Sequence, residues 1–521
     1  MKTNVFIALL AVFSLAAGTL RPELVPKKGG NLFIGQNADA LTLDPAEITD
    51  AESSKVTLNI FEGLVRYKDD STEVEPALAV SWDVSEHGKK WVFHLRKGVQ
   101  FHDGTPFNAE AVVFSFLRQI DPAHPFFQND FSYAGFTFRY VESVEALDKH
   151  TVRISLKKPY TPFLSNLAMN SASPIISPDA LKKWGKEFKK HPAGTGPFKF
   201  EEWIPNDRIV LTANPGYWGK PPFLKKLFFR AIPNPYARFR EFQAGRIHVM
   251  DVINPTDVAK ITQLPNGRLS KHPGLNVGYL AMNTEKKPFD SIKVRQAFNH
   301  AINKQKLIKL FFKNLAVPAK NPIPPTLWGY NDEIDDYEYN PQKAVQLLKE
   351  AGYKHGTVLS LLTMDISRPY IPQPKKIARA VKGNLAAVGI KVRIITYDWG
   401  TYINKAENGE HDLCLSGWIG DNGDPDNFLY TLLDKDNTVK PARNAAFFKH
   451  DRLHEILVKA QQASDKQERI RLYHQAQEII HHHAPWVPLV HAQQIGAYQK
   501  NVHGVVFHTT GIIKYNRAWI E

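Results

Sequence analysis

The sequence contains a single cysteine, Cys414, so no disulfide can form within the chain. Small secreted domains depend on disulfides, but a chain of 521 residues can bury a sufficient core without them. Cys414 stands between Leu413 and Leu415, which predicts a buried core thiol with no chemical role.

Long apolar runs are absent after the first 18 residues, so no membrane-spanning segment is expected there. The start of the chain has Lys2, an apolar run from Val5 to Ala17 interrupted by Ser14, and then small residues. This pattern predicts a cleaved secretory signal peptide over residues 1–18. No lipid-acceptor cysteine follows it, so we expect a free protein in the periplasm of a Gram-negative cell.

The chain has fewer acidic than basic residues, with 52 Asp and Glu against 66 Lys and Arg, which gives a formal net charge of +14. The basic residues are spread along the sequence without a basic tract or a nucleic-acid-binding motif, so no nucleic-acid partner is expected. The charge is better explained by anionic envelope surfaces or by simple solubility.

Catalytic signatures are also missing. No nucleophile elbow or phosphate-binding loop occurs, and His454-Glu455 lacks the second histidine of a zinc protease helix. We therefore expect no catalytic residue, no cofactor and no metal. Calcium at the acidic loop is disfavoured because positions one, three and five of a calcium loop would be Asp421, Gly423 and Pro425. The run of histidines at 481–483, with His474 and Glu478, is better explained as a solvated helix end than as a metal site.

The chain changes character near residue 279. Residues 30–274 favour strands with short helices, and longer amphipathic helices follow. Residues 357–363, 390–397 and 412–417 are predicted strands, separated by helices over 373–388 and 400–407. This βαβαβ run predicts a parallel sheet within an α/β fold.

Strand-like alternation returns from about His491, which suggests that the chain end revisits the first half. We therefore predict a two-lobed α/β protein with a hinge of two crossing segments. Lobe I comprises residues 30–278 and 493–521, with an inserted subdomain within about 60–195. Lobe II comprises residues 279–492.

A candidate binding site lies at the carboxyl ends of the predicted parallel strands, where ligands collect in open α/β sheets. Arg368 follows the first strand and Asp421 follows the third, so we expect them to face one cleft a couple of strand widths apart. Aromatic and small polar residues accompany them on the same sheet edge: Tyr370, Trp399, Ser416 and Trp418. One charge of each sign between aromatic walls fits a zwitterion. An ion pair between Arg368 and Asp421 is the structural alternative.

Several segments resemble the solute-binding components of peptide-uptake ABC transporters, bacterial extracellular family 5, over nearly the whole mature chain. They are WDVSEHG at 82–88, FHLRKGV at 93–99, FHDG at 101–104, GTGPF at 194–198, PGLNVGYL at 273–280, VRQA at 294–297, IPPTLWGY at 323–330 and GDNGDPDN at 420–427.

The resemblance implies the large, class II-like periplasmic-binding-protein fold, in which two lobes close on an extended peptide. It also implies a monomer that delivers the peptide to an inner-membrane permease. Dipeptide-binding members hold the ligand's amino terminus with an aspartate and its carboxylate with an arginine. In this chain those residues are Asp421 and Arg368, with Trp418 and Tyr370 lining the side-chain pockets. The chain departs from those members in lacking their cysteine pairs, which concerns stability and not the site.

Two kinds of alternative remain. The same fold could bind another cargo, such as haem, glutathione or longer and antimicrobial peptides. A different class would be an exported peptidase, which would release amino acids from a dipeptide, or a chaperone, which would not need free peptide termini.

Overall fold

The computed structural model describes residues 25–129, 131, 133–354 and 356–521. The predicted signal peptide lies outside the described residues. Within them, no helix combines the length and apolar character needed to cross a membrane.

The first half of the chain is rich in strands, as predicted. Asn108 begins a helix by accepting a hydrogen bond from the Ala111 amide. The elements in order are β1 (Asn31–Gln36), α1 (Ala51–Thr57), β2 (Val65–Tyr67), β3 (Val74–Pro76), β4 (Ala79–Ser85), β5 (Lys90–Leu95), α2 (Ala109–Ile120), α3 (Ala134–Thr137), β6 (Val141–Asp148), β7 (Thr151–Leu156), α4 (Phe163–Leu167), α5 (Pro178–Trp184), β8 (Phe198–Ile204), β9 (Arg208–Ala213), β10 (Lys226–Ala231), α6 (Pro235–Gln243), β11 (Val249–Met250), α7 (Val258–Gln263) and β12 (Gly267–Pro273).

Longer helices then alternate with strands. Asn340 begins one of them, with Pro341 in its first turn. The elements are β13 (Asn276–Met282), α8 (Ile292–Ala301), α9 (Lys304–Leu307), β14 (Ala316–Pro318), α10 (Pro341–Glu350), β15 (Val358–Met364), α11 (Pro374–Ala386), β16 (Lys391–Tyr397), α12 (Trp399–Glu407), β17 (Leu413–Ile419), α13 (Asp426–Leu433), α14 (Asp451–Gln462) and α15 (Lys466–His483). A π-helical turn over Ile308–Phe312 continues α9.

The chain ends in strands: β18 (Trp486–Gln499), β19 (Val502–His503), β20 (Val506–Phe507), β21 (Ile513–Lys514) and β22 (Trp519–Ile520). The long strand β18 begins five residues before the predicted return to strand structure at His491.

One mixed sheet runs through the molecule in the order β16-β15-β17-β13-β18-β11-β1-β10-β9-β8. The parallel pairing of β15 with β16 and of β15 with β17 confirms the βαβαβ prediction. The predicted spacing is wrong, however, because β15 lies between the other two strands and directly beside β17. The loops after β15 and β17 are therefore immediate neighbours.

The described residues form three large apolar cores, and one of them is built on a separate four-stranded sheet in the order β4-β5-β7-β6. One draws only on residues between 275 and 492, a second on residues between 46 and 175, and a third combines residues 32–249 with 502–518. We propose that they correspond to lobe II, the inserted subdomain and lobe I, with the predicted boundaries. Cys414 lies in the first core and is buried, as predicted, and burial raises the pKa of its thiol to about 12.

Strand β18 connects the two halves of the sheet. Its first part pairs with β13, and its second part pairs with β12. Between them, the buried side chain of Asn276 donates to the Ala492 carbonyl at 2.8 Å and accepts from the Ala492 amide at 2.9 Å. A side chain on Gly274 would lie 2.4 Å from that carbonyl, so only glycine fits.

A buried ion pair joins α2 to the segment before α1. The Arg118 guanidinium donates to the Asp44 carboxylate at 2.6 and 2.9 Å, and Arg118 is 1% exposed.

We predict that Arg118→Met lowers the free energy of unfolding by about 3–5 kcal/mol, since it leaves Asp44 buried without a cation. Denaturant unfolding followed by circular dichroism measures this.

The matched control is Arg153→Met, which breaks the more exposed pair with Glu145. It should change the unfolding free energy by about 1 kcal/mol or less. Equal effects of the two substitutions would contradict the assignment of a stabilising role to the buried pair.

Candidate functional site

A cleft of about 1300 Å³ opens between the lobe I and lobe II residues. All six residues predicted from the sequence line it: Arg368, Tyr370, Trp399, Ser416, Trp418 and Asp421. The structure thus brings together the groups that the sequence placed at the carboxyl ends of β15 and β17. Trp418 lies near the end of β17. We had expected it in the loop that follows this strand.

Asp421 stands just beyond β17, and its position is set by Asn427 in the first turn of α13. The Asn427 carboxamide oxygen accepts from the Asp421 amide at 3.0 Å and from the Trp418 indole at 2.9 Å. Its Nδ2 lies 3.4 Å from Asp421 Oδ2. One amide side chain therefore orients both the carboxylate and the adjacent aromatic wall.

The other Asp421 oxygen is contacted from the inserted subdomain. Tyr133 donates its hydroxyl to Asp421 Oδ1 at 3.0 Å, across 288 positions of sequence. Sequence reasoning missed Tyr133, since no local motif marks a residue that reaches the site from a distant segment.

The Asp421 carboxylate is partly accessible from the cleft but largely removed from bulk water. Burial raises its pKa to about 6, against the opposing effect of the hydrogen bonds from Tyr133 and Asn427. Among the described residues no cation pairs with it. A carboxylate that is hydrogen-bonded only by neutral donors and lines a cleft is suited to bind a ligand cation.

Arg368 presents the opposite charge. Its guanidinium carbon lies 3.9 Å from the centre of the Trp399 ring, a stacking contact that orients the planar group. The Nε atom is buried without a hydrogen-bond partner, and the described part of the chain offers Arg368 no ion pair. The alternative that Arg368 pairs with Asp421 is therefore wrong, and the guanidinium is free to bind an anion.

Tyr370 is buried behind Arg368 and lies on a pair of glycines. Gly278 of β13 and Gly417 of β17 are directly opposite each other in the sheet. A Cβ atom on Gly417 would lie 2.2 Å from the Tyr370 ring, and one on Gly278 would lie 2.6 Å from the Tyr370 carbonyl. The absence of side chains at both positions lets the segment after β15 pack directly on the sheet. Burial raises the pKa of the Tyr370 hydroxyl.

The other two carboxylates of the acidic loop have separate partners. Asp424 accepts from Arg469 at 2.7 Å, in a buried ion pair. Asp426 accepts from Gln461 at 2.9 Å and from Tyr160 of the inserted subdomain at 3.2 Å. Burial and the neighbouring Asp424 raise the pKa of Asp426 to about 7. This distribution disfavours the calcium alternative, since the carboxylates do not converge on one point.

The histidines at the end of α15 make aromatic contacts. His481 stacks on Tyr337, with ring centres 4.5 Å apart, and His483 contacts His450 at the same distance. In the described part of the chain, the group that could converge on a metal is Asp434, Asp436 and His454. Its geometry is explained by a hydrogen bond of 3.0 Å between His454 Nδ1 and Asp434.

The two halves of the sheet, the shared strand β18 and the cleft between them define a two-lobed binding protein. Residues 73–440 match the model of "Bacterial extracellular solute-binding proteins, family 5 Middle". The chain belongs to this family, whose members are extracellular or periplasmic.

Individual relatives are similar over almost their full length. The chain is 39% identical to the dipeptide-binding protein of Escherichia coli K12 over 493 residues, which is 91% of each protein. It is 40% identical to haem-binding protein A of Haemophilus influenzae over 494 residues, 91% of this chain and 90% of that one.

A solved structure shows the same architecture. It is the ABC transporter-associated periplasmic binding protein DppA of Helicobacter pylori in complex with the peptide STSA. The TM-score is 0.84 at 39% identity, with 95% of this chain and 99% of that one covered. The predicted fold, a two-lobed α/β binding protein of family 5, is thereby confirmed.

We predict that Asp421→Asn stabilises the unliganded protein at neutral pH. The folded-state pKa of Asp421 is raised, so the carboxyl destabilises the fold above its pKa of about 6 and ceases to do so as the pH falls towards its ordinary value of 3.8. The gain should be at most about 3 kcal/mol, because two pKa units correspond to that amount and partial exposure reduces it.

Thermal melting of both proteins between pH 4 and pH 8 measures this. The variant should melt higher above pH 6, and the two melting curves should converge near pH 4. A pH-independent difference would show that the carboxyl does not titrate as the structure implies.

Proposed function

We propose that the protein captures dipeptides in the periplasm and delivers them to the inner-membrane permease of an ABC transporter. The observation that carries this proposal is that Asp421 and Arg368 line one cleft and that neither forms an ion pair within the described chain. A dipeptide carries an ammonium and a carboxylate at its two ends and so supplies both missing charges. The dipeptide-binding relatives support the same ligand class.

Each anchor has a defined role in this proposal. Asp421 accepts the ligand ammonium, while Tyr133 and Asn427 hold the carboxylate in place. Arg368, stacked on Trp399, receives the ligand carboxylate. Tyr370, Trp418 and Ser416 line the space for the ligand side chains. Each added residue moves a peptide's carboxylate by roughly 3.3–3.6 Å, so two charged anchors select for length.

We further propose that the protein acts as a monomer and does not hydrolyse its ligand. His508 is the one histidine among the described lining residues of the cleft. Its Nε2 bonds to the Ser71 carbonyl and its Nδ1 to the Thr510 hydroxyl, both at 2.8 Å. Neither ring nitrogen is free to act as a general base, which counts against a peptidase.

The size of the cleft favours a second candidate. A volume of about 1300 Å³ exceeds the roughly 300–1,000 Å³ of ordinary small-molecule pockets. It would admit a longer peptide or a bulky cargo such as haem, as a haem-binding relative suggests. Haem binding would need a His or Tyr axial ligand; His508 has no free nitrogen to serve as one, which leaves a tyrosine of the cleft lining. A haem titration that produces a Soret band would favour this candidate.

The first test is thermal melting with one dipeptide in three forms: free, acetylated at the amino end and amidated at the carboxyl end. At a hundred times its dissociation constant, a ligand should stabilise the protein by about 2.7 kcal/mol. We expect this effect from the free dipeptide only, since each blocked form lacks one charge. Equal stabilisation by all three forms would contradict capture through the two termini.

The second test is calorimetric titration of Asp421→Ala and Arg368→Ala with the same dipeptide. Each substitution leaves a ligand charge buried without a partner, so each should weaken binding by about 3–5 kcal/mol, several hundredfold or more. The controls are Asp365→Ala and Arg379→Ala, which remove exposed charges from the flanking segments. Unchanged affinity in both cleft variants would refute the assignment of the anchors.

A further inference from the structure

Helix α11 carries a stripe of cations on its outer face. Its inner face is buried in the lobe II core through Ile377, Ala378, Val381 and Leu385. Four exposed positions at helical spacing are basic: Lys375, Lys376, Arg379 and Lys382.

A second stripe follows α9 and the π-helical turn after it. Lys306, Lys309 and Lys313 are exposed at similar spacing, with the exposed side chain of Leu310 among them. Lys304 is different, because it points inward and pairs with Asp336.

The two stripes meet where the Asn303 amide before α9 donates to the Asn384 side chain of α11 at 2.8 Å. Phe312, at the end of the π-helical turn, and Pro372, just before α11, both line the cleft. We call this combined surface the basic face; it consists of Lys306, Lys309, Lys313, Lys375, Lys376, Arg379 and Lys382.

The cations of the basic face have no anionic partners within the described chain. The sequence explains why, since neither residues 291–331 nor residues 366–397 contain an Asp or Glu. The next acidic residues along the chain are partly neutralised. Asp336 pairs with Lys304, and Asp332 pairs with Lys320. Two exposed lysines elsewhere in the described chain, Lys182 and Lys190, do pair with acids on their own segment.

We propose that the basic face binds an anionic phospholipid membrane surface. Seven cations without an acid form a single-sign field that attracts a negatively charged membrane, and each Lys or Arg near such a surface adds to the attraction. Lysine is depleted at protein interfaces, which instead have aromatic centres, so the composition favours a lipid surface over a protein partner. Leu310 supplies an apolar tip that can enter the boundary of the headgroups.

The location gives this contact a consequence. Because the basic face ends at Phe312 and Pro372, a protein held by it keeps the mouth of its cleft beside the membrane. The contact is reversible and salt-sensitive, since it depends on charge without a lipid anchor. It does not depend on which ligand the cleft binds.

The test is co-sedimentation of the purified protein with vesicles of phosphatidylglycerol and phosphatidylcholine, against pure phosphatidylcholine, at low and high ionic strength. We expect binding to the anionic vesicles only, with loss at high salt. The test variant should bind them at least about tenfold more weakly. It carries Lys375→Gln, Lys376→Gln, Arg379→Gln and Lys382→Gln.

The control variant removes the same number of positive charges from the segment around α5 and should retain binding. It carries Lys182→Gln, Lys183→Gln, Lys186→Gln and Lys190→Gln. Thermal melting of both variants, followed by circular dichroism, checks that they fold. Equal weakening in the two variants would show that only net charge matters, and no binding of the unmodified protein to anionic vesicles would mean that the face serves another partner; either result overturns the proposal.

Discussion

The pairing of β18 with both halves of the sheet is the constraint on which the rest of the structure depends. Because β13 and β12 flank successive parts of the same strand, both lobes share one hydrogen-bonded ladder. Asn276 reinforces the crossing by occupying the backbone groups of Ala492, which would otherwise lack partners where the ladder changes strands. A change of angle between the lobes must therefore be absorbed within a few residues around Gly274, and the cleft walls can move as units.

The site depends equally on two positions of the sheet that carry no side chain. The opposed glycines at 278 and 417 allow Tyr370 to lie flat across two strands, which brings Arg368 over the end of the sheet beside Trp399. Beyond the neighbouring strand β17, Asn427 in the first turn of α13 holds the backbone of Asp421, which lines the same cleft. Both anchors are thus held by backbone packing and stacking. Their charges are left unpaired, which is unfavourable for stability and useful for binding.

Periodicity and strand order explain what could be predicted. Alternation in β15–β17 and the helical repeats between them are local, so the parallel unit and its loop residues Arg368 and Asp421 could be read from the sequence. The central position of β15 depends on which way each crossover turns, which no local pattern encodes. Tyr133 and Tyr160 reach the acidic loop from another core, and the cations of the basic face come from two segments that meet through Asn303 and Asn384. These contacts are properties of the tertiary fold.

The contact between Tyr133 and Asp421 links the binding of a ligand to the conformation of the cleft. It joins the inserted subdomain to lobe II across the cleft, and it encloses a carboxylate whose pKa is raised by burial, against the smaller opposing effect of Arg443. Any closure that buries this carboxylate without a ligand costs desolvation energy, which a cationic ligand end offsets. A receptor that recognises the closed shape would then meet few unloaded molecules. The charge of one side chain would then reduce unproductive contacts between the unloaded protein and the receptor, and no second recognition step would be needed.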